Sequence, residues 1–407
     1  MELNDALYML LIGGVVVLVL LLRPGLERLG VPPLVGYFLL GFLLRLADAR
    51  WALLGAPGHQ IFEFLAHVGV VVLLFRVGLE SDLPGLLARL PAASVIWGGN
   101  VVVSGGLGYG AAAWVLGWAF LPSLFVAVAL TATSVGISVA LWEEADAVQT
   151  ESGALMLDVA EMDDISGVLL MGLLFALAPV LHQTPDAALL PLAAETLAWF
   201  VLKFAAFTAG CVLFSRYVEE RLTSYFERIQ SWSGTIMVVL GFGMIVAAVA
   251  GLLGFSMAIG AFFAGLIFSR DPDAVKMDAS FGAIHPLFAA FFFIGVGLRV
   301  DPAALGGVLL PALVLLGAAI AGKVLGTLLP ALALTGGTSA LLIGLSLVPR
   351  AEIMLIIMQR GLDLGAWAVT PEIFAHLVIV SAATTLLTPF VVRPLLHRHL
   401  APTPATG

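Results

Sequence analysis

Long apolar runs follow one another along almost the whole of this 407-residue chain, each closed by charged or turn-forming residues. Each is about 17 to 25 residues long, the length a helix needs to cross a bilayer. In lipid every backbone N–H and C=O must be satisfied within the segment, so the chain reads as an all-α polytopic membrane protein. Composition excludes the alternative, because 61% hydrophobic and 11% charged residues leave too little polar surface to cover a soluble globule. Thirteen helices are expected, near 6–23, 32–47, 60–78, 92–117, 121–142, 153–180, 188–215, 232–251, 255–269, 281–299, 305–333, 338–359 and 372–396. The start, Met1-Glu-Leu-Asn-Asp5, has neither the basic residues nor the cleavage site of a secretory leader, so the first run is expected to stay. The single cysteine, Cys211, excludes an intramolecular disulfide or thiolate metal cage. No basic run suggests nucleic acid. The histidines are scattered and no Gly-rich phosphate loop follows a strand, so neither enzyme chemistry nor a cofactor is expected, and no soluble domain remains.

Loop charges give an orientation. One side collects Arg23, Arg28, Arg89, Arg216, Arg221, Arg228, Arg270, Lys276, Arg393 and Arg398; the other holds Arg45, Arg50, Arg299 and Arg360. The positive-inside rule puts the C-terminus in the cytoplasm and, with an odd number of spans, the N-terminus outside. Arg76, Lys203, Lys323 and Arg350 fall within or at the edge of spans.

The chain also repeats itself. Val35-Gly36-Tyr-Phe-Leu-Leu-Gly41 in the second span matches Ile259-Gly260-Ala-Phe-Phe-Ala-Gly265 in the ninth, and Phe75-Arg-Val-Gly78-Leu-Glu-Ser-Asp82 matches Ile294-Gly-Val-Gly297-Leu-Arg-Val-Asp301 at almost the same offset. An odd number of crossings separates the copies, so the repeats, approximately 32–180 and 255–396 of a single integral unit 1–407, run upside down to each other. Inverted repeats and matched helix interruptions are devices of secondary transporters. In the fifth span, Leu130-Thr131-Ala-Thr133-Ser134-Val-Gly136 sets hydroxyls and a glycine at mid-membrane; in the twelfth, Pro349 removes a backbone donor within Ser346-Leu-Val-Pro349-Arg350-Ala-Glu352. Broken helices present dipole ends that need counter-charges. Arg350 and Glu352 can supply these or neutralise each other, and Thr133 and Ser134 offer hydroxyl oxygens.

Charged groups at bilayer depth cost about 2.5 to 3.5 kcal/mol each on insertion scales. Asp163 and Asp164 stand side by side in the apolar run 152–180, and Lys323 lies deep in another. Lys323 is too far from either end to reach water, so it is expected to pair with Asp163, leaving Asp164 to hold a proton or a small cation but not both. Hard monovalent cations prefer oxygen, which Asp164, main-chain carbonyls at the break, Thr133 or Ser134 could supply to Na+. Glu161, one turn before Asp164, is a possible modifier of ion binding, and Asp158, nearer the helix end, is expected to be wet.

Taken together, Val31-Pro-Pro-Leu-Val-Gly-Tyr, Val77-Gly-Leu-Glu80, Thr131-Ala-Thr133-Ser134-Val-Gly-Ile, Met162-Asp163-Asp164, Gly322-Lys323-Val-Leu-Gly and Pro349-Arg350-Ala-Glu352 resemble bacterial sodium/proton antiporters of the NapA type, within the cation:proton antiporter superfamily. The resemblance implies a dimerisation domain and a six-helix core domain with crossed, broken members. It implies a homodimer in a prokaryotic inner membrane that exchanges Na+ for H+ electrogenically, two protons against one sodium, by an elevator-like movement of the core. The family's paired aspartates map onto Asp163 and Asp164, its core lysine onto Lys323 and its threonine at the break onto Thr133. Asp158 and Glu161 stand where the family has apolar or small residues, Arg76 replaces an apolar residue, and Ala351 replaces the glycine after Pro-Arg. Potassium-efflux relatives append a nucleotide-binding domain that is not seen after Thr403, so ligand gating is not expected. Potassium/proton exchange remains the alternative, with a cation channel or non-transporting sensor behind it.

Overall fold

The computed structural model describes residues 2–80, 83–183, 186–219, 221, 225, 233–269 and 279–400, with side chains from 6–80, 93–183, 190–219, 221, 225, 240–269 and 284–398. Asp82, Arg228, Arg270, Lys276 and the side chain of Arg89 lie outside the described residues. Regular structure in the described part is helical, without strands. In chain order the helices are α1 (Glu2–Arg28), α2 (Pro33–Trp51), α3 (Gly55–Glu80), α4 (Leu83–Gly110), α5 (Phe120–Thr131), α6 (Val135–Glu144), α7 (Glu151–Gln183), α8 (Asp186–Phe214), α9 (Ser233–Leu252), α10 (Met257–Phe268), α11 (Ala279–Arg299), α12 (Leu309–Ala331), α13 (Gly337–Ser346), α14 (Glu352–Leu364) and α15 (Pro371–Leu400). Each expected apolar segment coincides with one helix, except the fifth and twelfth, which are the broken pairs α5–α6 and α13–α14. Among the described residues, seven helical segments are long and apolar enough to cross a membrane, and shorter apolar helices accompany them. The chain is therefore a multi-pass membrane protein.

Some helices outrun their apolar cores. Asp48 explains one case: its carboxylate accepts from the Leu54 N–H at 2.8 Å and meets His59 Nε2 at 2.8 Å, which ties the α2–α3 connection and lets α3 begin at Gly55.

Cα proximity divides the chain into two compact units. The first comprises 1–29, 36–82 and 172–299, hence α1, α2, α3, the later part of α7 and α8 to α11. Its closest helix approaches fall at the repeated glycines. A Cβ on Gly41 would strike the Ile294 carbonyl and one on Gly297 the Phe38 carbonyl; a Cβ on Gly265 would strike the Phe75 carbonyl and one on Gly78 the Phe262 carbonyl. Phe38 is to Phe262 in the aligned segments as Phe75 is to Ile294, so α2 meets α11 through the same positions as α10 meets α3. Bare glycine surfaces allow the backbones this close, which is how helices gain contact where lipid offers no hydrophobic drive. Phe204 and Phe207 pack their rings on Phe255 and Phe263 in the same unit.

The second unit comprises 30–35, 83–171 and 300–407 and holds α4, α5, α6, the first part of α7 and α12 to α15. An apolar core gathers Trp142, Met156, Val159, Ile343, Leu347 and Leu396. α4 and α12 cross at small residues: a Cβ on Gly322 would lie 2.8 Å from Ser104 Cα, and one on Gly326 2.9 Å from Asn100 Cα. This crossing brings Asn100 and Lys323 toward one place.

Candidate functional site

Both interruptions lie in the second unit. α5 stops at Thr131, whose hydroxyl turns back to the Val128 carbonyl at 2.7 Å, and Ala132 and Ser134 are extended. After α13 ends at Ser346, Pro349 has no N–H to continue a helix and forces its predecessor toward extended backbone, and α14 restarts at Glu352. The two breaks touch: Ser134 N–H donates to the Pro349 carbonyl at 2.8 Å, and Ser138 Oγ donates to the Ser346 carbonyl at 2.6 Å. Backbone groups orphaned by each break are thus satisfied partly by the other.

The carbonyl end of α5 carries negative partial charge, and two cations meet it. Lys323 Nζ donates to the Thr131 carbonyl at 2.7 Å, and Arg350 Nη1 to the Ala132 carbonyl at 2.6 Å. Arg350 Nη2 also donates to the Ala319 carbonyl at 2.9 Å. On the far side of the crossing Glu352 opens α14, at the positive end of a helix, and accepts from Ser134 Oγ at 3.0 Å. Arg350 thus donates to carbonyls of the first break and of α12, while Glu352 accepts from the Ser134 hydroxyl. Ser381 on α15 holds the break from behind by donating to the Arg350 carbonyl at 2.8 Å.

Asp163 and Asp164 leave α7 in different directions and meet different surroundings. Asp163 is fully buried and saturated. Its Oδ2 accepts from Lys323 Nζ at 2.6 Å, from Thr133 Oγ1 at 2.7 Å and from Asn100 Nδ2 at 2.6 Å, and the same amide lies 2.9 Å from Oδ1. Lys323 is equally buried, so the ion pair has no water to screen it. Asp164 is 5% exposed, and no described residue donates a hydrogen bond to it. The charges acting on it are Glu352, Asp163, Glu161 and Lys323, three of them negative. One carboxyl of the dyad is therefore immobilised by fixed donors, and its neighbour is left in a negative surrounding with free acceptor capacity. A carboxyl so placed can take a proton or a bare cation, and the chemistry of the two is mutually exclusive.

The sequence-derived residues Asp163, Asp164, Thr133, Ser134, Lys323, Arg350, Glu352 and Glu161 all lie in this unit. Thr133 and Ser134 spend their hydroxyl protons on Asp163 and Glu352 respectively, which leaves their oxygen lone pairs for other contacts. One expectation fails: Asp158 is not wet but 2% exposed, because α7 is packed along its first turns by the core around Trp142 and Met156. One contributor, Asn100, lies outside the sequence expectation. Asn100 was legible as a lone amide in an apolar run, a costly residue at that depth. The main-chain carbonyls expected at the break are those of Thr131 and Ala132, and they accept from Lys323 and Arg350.

Residues 14–398 match the transmembrane sodium/hydrogen exchanger family. A Na(+)/H(+) antiporter of Enterococcus hirae is 31% identical over 384 residues, 90% of this chain and 92% of that protein. The Na(+)/H(+)-K(+) antiporter GerN of Bacillus cereus is 28% identical over 364 residues, 89% of each chain. The solved structure of the sodium proton antiporter MjNhaP1 from Methanocaldococcus jannaschii shares the fold, with a TM-score of 0.73 at 15% identity over 98% of this chain and 100% of that one.

Proposed function

The chain belongs to the sodium/hydrogen exchanger family, and on that premise we propose that it exchanges Na+ for H+ across a prokaryotic inner membrane, with Asp164 as the carrier group. The observation that carries this reading is the asymmetry of the dyad. Lys323, Thr133 and Asn100 hold Asp163, while Asp164 beside it has no hydrogen-bond donor among the described residues. With Na+ bound, Asp164 and nearby oxygens of the break neutralise the ion; with a proton bound, the same carboxyl has no charge to offer a cation. Because only one of the two occupies Asp164 at a time, cation movement in one direction is coupled to proton movement in the other without any catalytic chemistry, and the protein acts as a carrier and not an enzyme.

The segments 32–180 and 255–396 form inverted repeats, a view supported by the reciprocal glycine contacts of α2 with α11 and α10 with α3. Thirteen crossings put the N-terminus outside and the C-terminus in the cytoplasm. The second unit, which holds every candidate residue, is the body that moves in an elevator-type cycle of a homodimer of the NapA type, and the exchange is electrogenic, with a further proton carried on a group other than Asp164. A second reading, K+/H+ exchange, draws on similarity to GerN, whose name includes potassium.

Proteoliposomes with an imposed sodium gradient and a luminal pH dye test the central assignment. Wild-type protein is expected to acidify or alkalinise the lumen according to the gradient's direction, and Asp164→Asn to abolish the signal; transport by Asp164→Asn would remove Asp164 from the role. Replacing sodium by potassium in the same assay separates the two readings.

A further inference from the structure

Three side chains hold Asp163, and they divide its two oxygens unequally. Oδ2 accepts from Lys323 Nζ at 2.6 Å, Thr133 Oγ1 at 2.7 Å and Asn100 Nδ2 at 2.6 Å, whereas Oδ1 accepts from Asn100 Nδ2 at 2.9 Å and from no other described residue. Asn100 is fully buried and its amide is oriented. Ser104 Oγ, one turn further along α4, donates to Asn100 Oδ1 at 3.3 Å, which leaves the NH2 group to face the carboxylate. The glycines of α12 press on the same two residues, since a Cβ on Gly322 would lie 2.8 Å from Ser104 Cα and one on Gly326 2.9 Å from Asn100 Cα. One turn before Asn100, Trp97 Nε1 donates to Ser166 Oγ at 3.0 Å, and that hydroxyl donates to the Asp163 carbonyl at 3.1 Å. Positions 97, 100 and 104 share one face of α4, so this helix grips both the side chain and the main chain of Asp163.

The donors differ in chemistry. Lys323 brings a charge that comes and goes with its proton, and it shares its ammonium with the Thr131 carbonyl at 2.7 Å. An amide neither gains nor loses a proton in the working range, so what Asn100 supplies is constant. The charged groups around the dyad are Lys323 from α12, Arg350 and Glu352 from the second break and the start of α14, and Asp164 and Glu161 on α7 itself. Among its described side chains α4 adds no charge, only the amide and its serine. A hydrogen bond to an ionised group is strong enough to move a protonation equilibrium about tenfold.

We infer that Asn100, its amide fixed by Ser104, is a positioning residue of the exchange site: it keeps Asp163 a stationary, unprotonated anion, so that the contest between Na+ and H+ is confined to Asp164. This role rests on the assignment of Asp164 as carrier. Without the amide, Oδ1 is a buried acceptor with no described donor, and taking a proton is the direct way for Asp163 to satisfy it. A protonated Asp163 removes negative charge from beside Asp164, and Na+ is then held less well. Once the solution is alkaline enough to strip that proton, the difference vanishes.

Initial rates against Na+ at a series of pH values, with full-length protein in proteoliposomes, test the inference. Asn100→Leu, which keeps a similar volume and removes the amide, is expected to raise the Na+ KM about tenfold over wild type at the acid end of the series and to rejoin it at the alkaline end. Ser104→Ala, which leaves the amide but releases its orientation, is expected to shift the KM the same way by about threefold. A KM ratio that is the same at every pH, or a lowered maximal rate at unchanged KM, is what a merely structural contact gives, and either overturns the inference. If Asn100→Leu does not insert or does not transport, Ser104→Ala carries the test: a KM ratio that falls toward one as pH rises supports the role, and a wild-type KM throughout overturns it. Transport by Asp164→Asn would sink the carrier assignment, whereas an inactive Asp164→Asn beside an Asn100→Leu protein with the wild-type KM at every pH sinks the role of Asn100 alone.

Discussion

Replacing Lys323 by methionine isolates the buried ion pair. The ammonium has two described hydrogen bonds, to Asp163 Oδ2 at 2.6 Å and to the Thr131 carbonyl at 2.7 Å, and both charged side chains are 0% exposed. Removing one partner of such a pair leaves a charge with no compensation, at about 3–5 kcal/mol. Asn100 and Thr133 still donate to Asp163, and hydrogen bonds to an ionised group contribute about 1.5–3 kcal/mol each, so the loss belongs at the lower end, near 3 kcal/mol. Methionine keeps the unbranched stem, which limits any cavity contribution. The diagnostic step is the second substitution: Asp163→Asn in the Lys323→Met background removes the stranded carboxylate and is expected to recover about 2 kcal/mol, so the two losses are strongly non-additive. Thermal or denaturant unfolding of the four proteins in one detergent provides the cycle. Losses that add, or a Lys323→Met protein within about 1 kcal/mol of wild type, would refute the idea that this pair holds Asp163 in place.

Two other outcomes follow from the packing and the loops. Gly322→Val is expected to abolish transport while the protein still reaches the membrane, because its Cβ would lie 2.8 Å from Ser104 Cα and spread α4 from α12, parting Asn100 and Lys323 from Asp163; transport at the wild-type rate with normal expression would contradict this. At the α2–α3 connection, burial acts to raise the Asp48 pKa, but hydrogen bonds from the Leu54 N–H and His59 with the charges of His59 and Arg45 outweigh it, and the carboxyl sits below its ordinary range. A carboxyl depressed in the folded state contributes stability that is present above its unfolded pKa of about 3.9 and is lost as pH falls through the folded value. Asp48→Asn is therefore expected to lower the unfolding midpoint at pH ~5 and to converge with wild type only as pH falls below ~3.9 through the lower folded value.

Much of this was legible in the sequence because lipid makes the rules severe. Apolar runs had to be helices, Pro349 had to interrupt one, and an ammonium at the depth of Lys323 had to find an acid, which proved to be Asp163. The repeated glycines were visible as spacing and proved to be the places where carbonyls of the neighbouring helix approach. What stayed hidden depended on tertiary contact. Asp158 looked near a helix end, yet the burial of α7 is set by packing against residues far along the chain, which helical periodicity does not encode. Carbonyls at the break were expected, but that Lys323 and Arg350 would take those of Thr131 and Ala132 depends on how α12 and the second break pack against α5. Asn100 approaches Asp163 because Gly326 on another helix is small, a pairwise condition that neither segment states alone.

The central claim is that one carboxyl, Asp164, holds either Na+ or H+. Its most direct test is the apparent KM for Na+ of the wild-type protein in proteoliposomes, measured at a series of pH values with the maximal rate extracted at each. Competition predicts that the KM climbs steadily as pH falls while saturating Na+ restores the same maximal rate. A KM independent of pH, with acid lowering only the maximal rate, would mean that proton and cation occupy different groups and would contradict the account.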